Sequence, residues 1–270
     1  NRIQYRILRP YAPAGVESMK ESVFFVSDTH FKYDGLGMDE RMKRDRFISF
    51  LSGIEGASKL YLLGDIFDFW FEYRSVVPRY YRDVLDALSS LRKSGTGIYI
   101  AGGNHDFWLG SFISETLGFT ILPHIVTHTI QGITVTMKHG EDLLPGDRGY
   151  KILKAVIRSR PAIAAARAVH PDVLYPIAGR FSRTSKGITE RKTERAAKTL
   201  RAMAGDAFFR WGNDAFIMGH IHYPSIERFG DRTFVILGDW ERNFSFLEIR
   251  KGRFSLGFYR PLENTLIENR

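Results

Sequence analysis

Three short apolar runs in the first half of the chain each end abruptly in polar, chemically capable residues, and this arrangement constrains the fold more than any other feature. Val23-Phe24-Phe25-Val26 runs into Ser27-Asp28-Thr29-His30, Leu60-Tyr61-Leu62-Leu63 into Gly64-Asp65, and Gly97 to Ala101 into Gly102-Gly103-Asn104-His105-Asp106. The amphipathic stretches between them, Asp39 to Ile54 and Val77 to Lys93, read as helices. Short apolar runs alternating with helical stretches are the pattern of β-α units feeding a buried sheet. In such sheets ligands bind beyond the carboxyl ends of the strands, so the polar clusters stand where a site is expected.

The second half repeats the device twice. After the turn signal Gln131-Gly132, Ile133 to Met137 reads as a strand that delivers His139-Gly140, and Ala215 to Met218 reads as one that delivers Gly219-His220-Ile221-His222. Two hairpins follow, turning at Gly230-Asp231 and Lys251-Gly252. Between these strands, from about Leu143 to Gly205, the chain is rich in Arg and Ala and helical in pattern, interrupted by Pro161, Pro171 and Pro176. The expectation is an α/β domain over residues 19–270 carrying a helical insertion at about 143–205. Residues 1–18 hold two prolines and no clear periodicity, and no function is assigned to them.

Composition narrows the chemistry. The chain has no cysteine, which excludes disulfide scaffolds, thiolate zinc sites and cysteine nucleophiles, so metal ligands must be His, carboxylate or amide. A hydrophobic fraction of 44% and an aromatic fraction of 14% describe a folding chain rather than a disordered one. No apolar run approaches the roughly 20 residues that span a bilayer, and no signal-peptide pattern opens the sequence. A cytoplasmic location is the expectation.

Five of the eight histidines, His30, His105, His139, His220 and His222, fall at strand ends beside glycine or carboxylate. In an extended segment alternate side chains share a side, so Asp28 and His30 can grip one ion, and His220 and His222 can do the same from the far end of the chain. Asp65 follows a glycine at a strand exit, where its two oxygens can bridge two ions. A pair about 3.5–4 Å apart would lower the pKa of a shared water and hold phosphate oxygens during in-line displacement. Histidine, aspartate and an asparagine amide make a mixed N/O donor set that suits Mn²⁺, Fe or Zn²⁺ better than Mg²⁺ or Ca²⁺. Taken singly these motifs are ordinary turn chemistry; it is their ordered recurrence at strand exits that points to two divalent metals. Mn²⁺ is the expectation, although the ligand set does not choose among the three.

The series Asp28-Thr29-His30, Gly64-Asp65-Ile66-Phe67-Asp68, Gly103-Asn104-His105-Asp106, His139-Gly140 and Gly219-His220-Ile221-His222 resembles the signature of calcineurin-like metallophosphoesterases, with all five blocks present in order. The resemblance implies a four-layer α/β/β/α sandwich. It implies one metal held by Asp28, His30, Asp65 and His222 and a second by Asp65, Asn104, His139 and His220. It also implies that His105 acts as an acid near the leaving group or scissile phosphate, oriented by Asp106, with Asp68 in a supporting place. Within the superfamily the chain is most similar to bacterial UDP-2,3-diacylglucosamine pyrophosphatases of lipid A synthesis. Gly64 to Trp70, Gly103 to Trp108, His139-Gly140-Glu141, Gly146 to Lys151 and Leu237-Gly238-Asp239-Trp240 carry that likeness. One departure stands out: the best-known branch of that family has Arg where this chain has His105.

The formal net charge of +9 is unevenly placed. From Arg148 to Arg201 there are fourteen Lys and Arg against three acids, a surplus of eleven that leaves the remainder of the chain slightly acidic. Apolar groups interleave the charges, among them Ile152, Leu153, Val156, Ile157, Ile163, Val173, Leu174 and Ile177, a mixture that suits an anionic lipid surface. Aromatic residues there are few (Tyr150, Tyr175, Phe181), which argues against base stacking along a nucleic acid strand. The segment reads as a lid for acyl chains and a diphosphate. By likeness to the related enzymes, Asp147, Tyr150, Arg183, Ser185 and Lys186 are the substrate-binding candidates.

The leading expectation is hydrolysis of UDP-2,3-diacylglucosamine to UMP and the acylated sugar 1-phosphate by a cytoplasmic enzyme peripheral on the inner face of the membrane. No obligate protein partner is evident. One alternative is another phosphodiesterase or nuclease of the superfamily, which strong salt-dependent DNA binding would favour. Another is a non-catalytic scaffold, opposed by the cost of burying unused His and Asp.

Overall fold

The computed structural model describes residues 19–33, 37–143, 156–185, 190–209 and 212–259. Two sheets stack face to face. The first has the order β11-β10-β1-β2-β3-β4, formed by β1 (Ser22–Val26), β2 (Lys59–Leu63), β3 (Gly97–Ala101), β4 (Thr120–Leu122), β10 (Ser245–Arg250) and β11 (Arg253–Phe258). The second has the order β5-β6-β7-β9-β8, formed by β5 (Ile125–Ile130), β6 (Ile133–Lys138), β7 (Ala215–Met218), β8 (Ser225–Phe229) and β9 (Arg232–Ile236). Strands β1 to β4 run parallel, as do β6, β7 and β9, so their carboxyl ends gather at one edge of the sandwich.

Because β1, β2 and β7 are covered on both faces, they read as continuous apolar runs rather than as alternating ones. Their inner faces form the layer between the sheets, where Phe25 and Leu63 meet Val135, Met137, Ile217 and Val235. Outside the first sheet lie α1 (Met38–Gly53) and α2 (Arg82–Lys93), whose Phe47, Phe50, Leu85 and Leu88 join Phe24, Leu60 and Leu62. Outside the second sheet lies α5 (Glu190–Ala207), which sets Ala197, Leu200 and Ala204 against Phe216, Phe234 and Ile236. These four layers are the α/β/β/α sandwich that the resemblance implied.

Three elements differ from the sequence expectation. The helix expected from Val77 begins only at Arg82, after a 3₁₀ turn at Arg79–Tyr81, because Pro78 is extended at ψ 109° and disfavours helix at Val77 before it. Pro176 does not interrupt its helix. It lies inside α4 (Pro171–Ser185), where its ring removes one backbone donor, and α3 (Arg160–Ala168) instead carries its proline, Pro161, in the first turn. The expected insertion also divides into two parts: α3 and α4 pack Ile163, Ala166, Leu174 and Tyr175 over Phe69, Phe71 and Trp108, whereas α5 belongs to the sandwich.

Candidate metal centre

The turns leaving β1, β2, β3, β6 and β7 converge. Asp28, His30, Asp65 and His220 all hold a positive φ, at 55°, 44°, 53° and 65°. Left-handed backbone is disfavoured for residues with a Cβ and persists where surrounding contacts over-determine it. Those contacts are visible: the Asp28 amide donates to Gly64 O at 3.0 Å, the His30 amide to Asp65 O at 2.9 Å, and the His220 amide to Asp28 Oδ2 at 2.8 Å. The turns pass so close that a Cβ on Gly103 would collide with the Asp65 carboxylate, and one on Gly219 would lie 2.7 Å from Asp28 Oδ2.

Among the clusters that result are Asp28 with His30 and His222, Asp65 with His139 and His220, and His30 with Asp68 and His105, each bringing its three potential ligand atoms within 4.8 Å of one another; the first two hold the expected ligands. Asp65 lies between them, its Oδ2 3.4 Å from His139 Nε2 and 3.8 Å from His30 Nε2. Asn104 Oδ1 is 3.2 Å from His139 Nε2, so the amide faces the second cluster. His139 Nδ1 lies 2.9 Å from the Leu63 carbonyl, which can only accept. Nδ1 therefore carries a proton, and Nε2 is the atom that faces the site and would be the one to ligate an ion.

The residues fit a metal pair. Asp28 Oδ1 is buried, 3.5 Å from His222 Nε2 and 3.9 Å from His30 Nε2, and those two nitrogens stand 3.4 Å apart beside it. Buried acceptors converging in this way are satisfied by a cation. Without one, protons serve in its place. Against the opposing effect of burial, hydrogen bonding to Asp28 raises His222 to about 9, and the Asp65 charge holds His139 well above the usual histidine range. Burial, reinforced by the neighbouring His139, pushes His220 down to about 4. Despite burial, Asp65 is held well below the carboxylate range, chiefly by the charges of His139 and His105.

His105 borders the first cluster, its ring 4.9 Å from that of His30 and its Nε2 3.9 Å from Asp65 Oδ2. The expectation that Asp106 orients this ring is corrected. The Asp106 carboxylate accepts from the amides of Asp65, Ile66, Phe67 and Gly103 at 2.7–3.2 Å, tying the β2 and β3 turns together. Burial and the Asp65 charge push Asp106 up to about 6, against the pull of the Gly103 and Phe67 amides. The group facing His105 Nδ1 is instead the Asp68 carbonyl, at 3.1 Å. Among the substrate-binding candidates, Asp147, Tyr150 and Lys186 lie outside the described residues, as do the side chains of Arg183 and Ser185 at the end of α4.

Three supporting groups escaped the sequence reading. Arg158, ahead of α3, donates to Gly103 O at 3.0 Å and stacks 4.3 Å from the Phe107 ring, joining the insertion to the turn that carries Asn104 and His105. Asp239 collects the amides of Glu241, Arg242 and Asn243, and Asn243 Nδ2 donates to the His222 carbonyl at 3.4 Å. Lys43 donates to the His30 carbonyl at 2.8 Å. Only Asp239 carried a sequence signal, in the Leu237-Gly238-Asp239-Trp240 block.

Residues 22–224 match the family model for calcineurin-like phosphoesterases. The chain is 28% identical over 240 residues to UDP-2,3-diacylglucosamine hydrolase of Pseudomonas fluorescens (strain Pf0-1), covering 87% of this chain and 94% of that one. It is 29% identical over 251 residues to the protein of the same name from Porphyromonas gingivalis (strain ATCC BAA-308 / W83), covering 84% and 94%. A solved archaeal phosphodiesterase aligns over 87% of this chain and 98% of its own at 13% identity, with a TM-score of 0.44. The family match extends from the first strand through the turn that carries His220 and His222, and the chain belongs to the calcineurin-like phosphoesterases, as a metal-dependent hydrolase.

Proposed function

We propose that this chain hydrolyses the diphosphate of UDP-2,3-diacylglucosamine to UMP and 2,3-diacylglucosamine 1-phosphate. The observation that carries the reading is the likeness to hydrolases of that name over 84–87% of this chain and 94% of theirs. Asp28, His30, Asp65 and His222 would hold one divalent ion, and Asp65, Asn104, His139 and His220 the other; Mn²⁺, Fe and Zn²⁺ all suit the mixed donor set. When bound, such a pair polarises phosphoryl oxygens and makes water acidic enough to serve as a nucleophile at neutral pH.

The chain's own groups complete the chemistry. The Asp68 carbonyl accepts the Nδ1 proton of His105, which leaves His105 Nε2, on the Asp65 side, as the atom that takes or delivers a proton at the scissile phosphate. Asp106 keeps the β2 and β3 turns in register, so Asp65 and Asn104 keep their spacing. Supporting the lipid part of the reading, Val156, Val173 and Ile177 of the insertion are 57%, 51% and 46% exposed, within the basic segment of the chain. No helix among the described residues is long and apolar enough to cross a membrane. Contact with an anionic membrane surface would therefore be peripheral, through these helices.

The test is turnover. With Mn²⁺, the protein should release UMP from UDP-2,3-diacylglucosamine far faster than from the unacylated nucleotide sugar. Equal turnover of the two would remove the lipid from the reading. Salt-dependent cleavage of DNA would move the assignment to a nuclease.

A further inference from the structure

The first turns of α1 carry Glu40, Lys43 and Arg44, and none of the three is more than 6% exposed. Ions are seldom withdrawn from water unless they are paired and hydrogen-bonded, so three on one helix face require an account. All three converge on the main chain from His30 to Lys32. Lys43 Nζ donates to the His30 carbonyl at 2.8 Å. Glu40 Oε1 accepts from the Lys32 amide at 3.0 Å and from Arg44 Nε at 3.0 Å, and Glu40 Oε2 pairs with Lys43 Nζ at 2.8 Å. Arg44 donates to the Lys32 and Tyr80 carbonyls and pairs with Asp83 at 2.8 Å. Both cations lie against the Phe31 ring, at 5.4 and 5.7 Å.

The stretch so held is the one that most needs holding. His30 adopts φ 44°, where its Cβ crowds the following carbonyl oxygen. Its amide is fixed by Asp65 O, and its carbonyl is fixed by Lys43. With both sides of the residue tied, the imidazole stays beside Asp28, Asp65 and His222. If the carbonyl were released, His30 could relax toward ordinary backbone and its ring would turn from the cluster. A group that merely anchored α1 would need only the ion pairs with Glu40 and Asp83; contact with the carbonyl of His30 itself is a different provision.

We propose that Glu40, Lys43 and Arg44 form a clamp that sets the metal affinity of the centre by fixing the left-handed main chain at His30. Lys43 is its positioning residue, acting through His30 rather than touching metal or substrate. The inference rests on the reading of His30 as a ligand. Groups that orient metal ligands cost about 10–100-fold in metal affinity when they are lost.

The test is calorimetric titration of Mn²⁺ into the metal-free full chain. Lys43→Met should weaken the affinity of one site by about 10–100-fold and alter the visible spectrum of the cobalt-substituted protein. Phe50→Leu, on the same helix but packed on Phe24, Trp240 and Phe246, should lower stability and leave affinity unchanged. A merely structural role for Lys43 would make the two variants alike, with affinity retained in both, and that outcome overturns the clamp. If Lys43→Met does not fold, Lys43→Gln, whose amide falls one bond short, gives the reading: a weakening of about fivefold or more supports the clamp and a smaller one overturns it. His30→Ala separates the two levels. If it binds both ions as the unsubstituted protein does, the ligand reading fails; if it loses an ion while the Lys43 variants lose nothing, only the clamp fails.

Discussion

At the strand ends, Asp28, His30, Asp65 and His220 are held at positive φ by buried amides and carboxylates, and each turn is tied to another from a distant part of the chain. The inserted helices α3 and α4 are built in the opposite way. Among the described residues, their long-range hydrogen bonds include Tyr73 to the Val169 carbonyl beside α3 and Tyr175 to the Phe71 carbonyl, and they leave Val173 and Ile177 open to solvent. Metal chemistry tolerates little displacement, so its groups sit on turns over-determined by the sandwich. Recognition of a bulky substrate would tolerate more, and on the proposed function the helical pair would serve it. On the proposed function, the first region would carry catalysis and the second substrate choice.

The largest effect expected falls on the first region. Asp65→Ala should abolish turnover of every substrate, small esters included, while circular dichroism shows the fold retained. Next, removing residues 159–185, which leaves Arg158 on the Gly103 carbonyl, should spare hydrolysis of bis-p-nitrophenyl phosphate and collapse activity on the acylated nucleotide sugar. Equal losses on both would erase the division. The cut must stop short of α5, since removing residues 190–207 would strip Ala197, Leu200 and Ala204 from Phe216 and Phe234 and should unfold the protein. His105→Ala should then lower kcat by about 10²–10⁴ with little change in KM. A change in KM alone would make His105 a binding group.

The smallest of these effects is a pH dependence. His222 is raised to about 9 in the metal-free centre, so it is charged at neutral pH and must lose its proton to bind an ion. Calorimetry in buffers of different ionisation enthalpy should show proton release, with apparent Mn²⁺ affinity rising from neutrality toward 9 by up to about tenfold per pH unit for each ligand proton displaced. The metal-free fold runs the other way. The pair of charged His222 and Asp28 contributes stability fully below the unfolded pKa near 6.5, and that stability is lost as pH rises through about 9.

The strand exits were legible because buried parallel strands are uninterrupted apolar runs, and a run ending in Gly-Asp or Gly-Gly-Asn-His marks its own carboxyl end. What could not be read depends on partners distant in sequence. Asp106 follows His105 in the chain, yet its carboxylate points to the amides of the β2 turn, some forty residues earlier. Glu40, Lys43 and Arg44 lie in a stretch so charged that it reads as a solvated helix face, and their burial depends on the carbonyls of the turn after β1. In α5 the spacing of Ala197, Leu200 and Ala204 is that of a buried stripe, but the surrounding Arg and Lys merged it with the basic lid. The resemblance supplied the ligand set as a whole, and the clusters on either side of Asp65 are what the proposal of two ions rests on.

The central claim is that Asp65 joins two ions in one centre, and metal counting tests it most directly. Mass spectrometry of the native protein at saturating Mn²⁺ should find two ions per chain, falling to one or none in Asp65→Ala. A single ion per chain in the unsubstituted protein, or two retained after Asp65→Ala, would contradict the account.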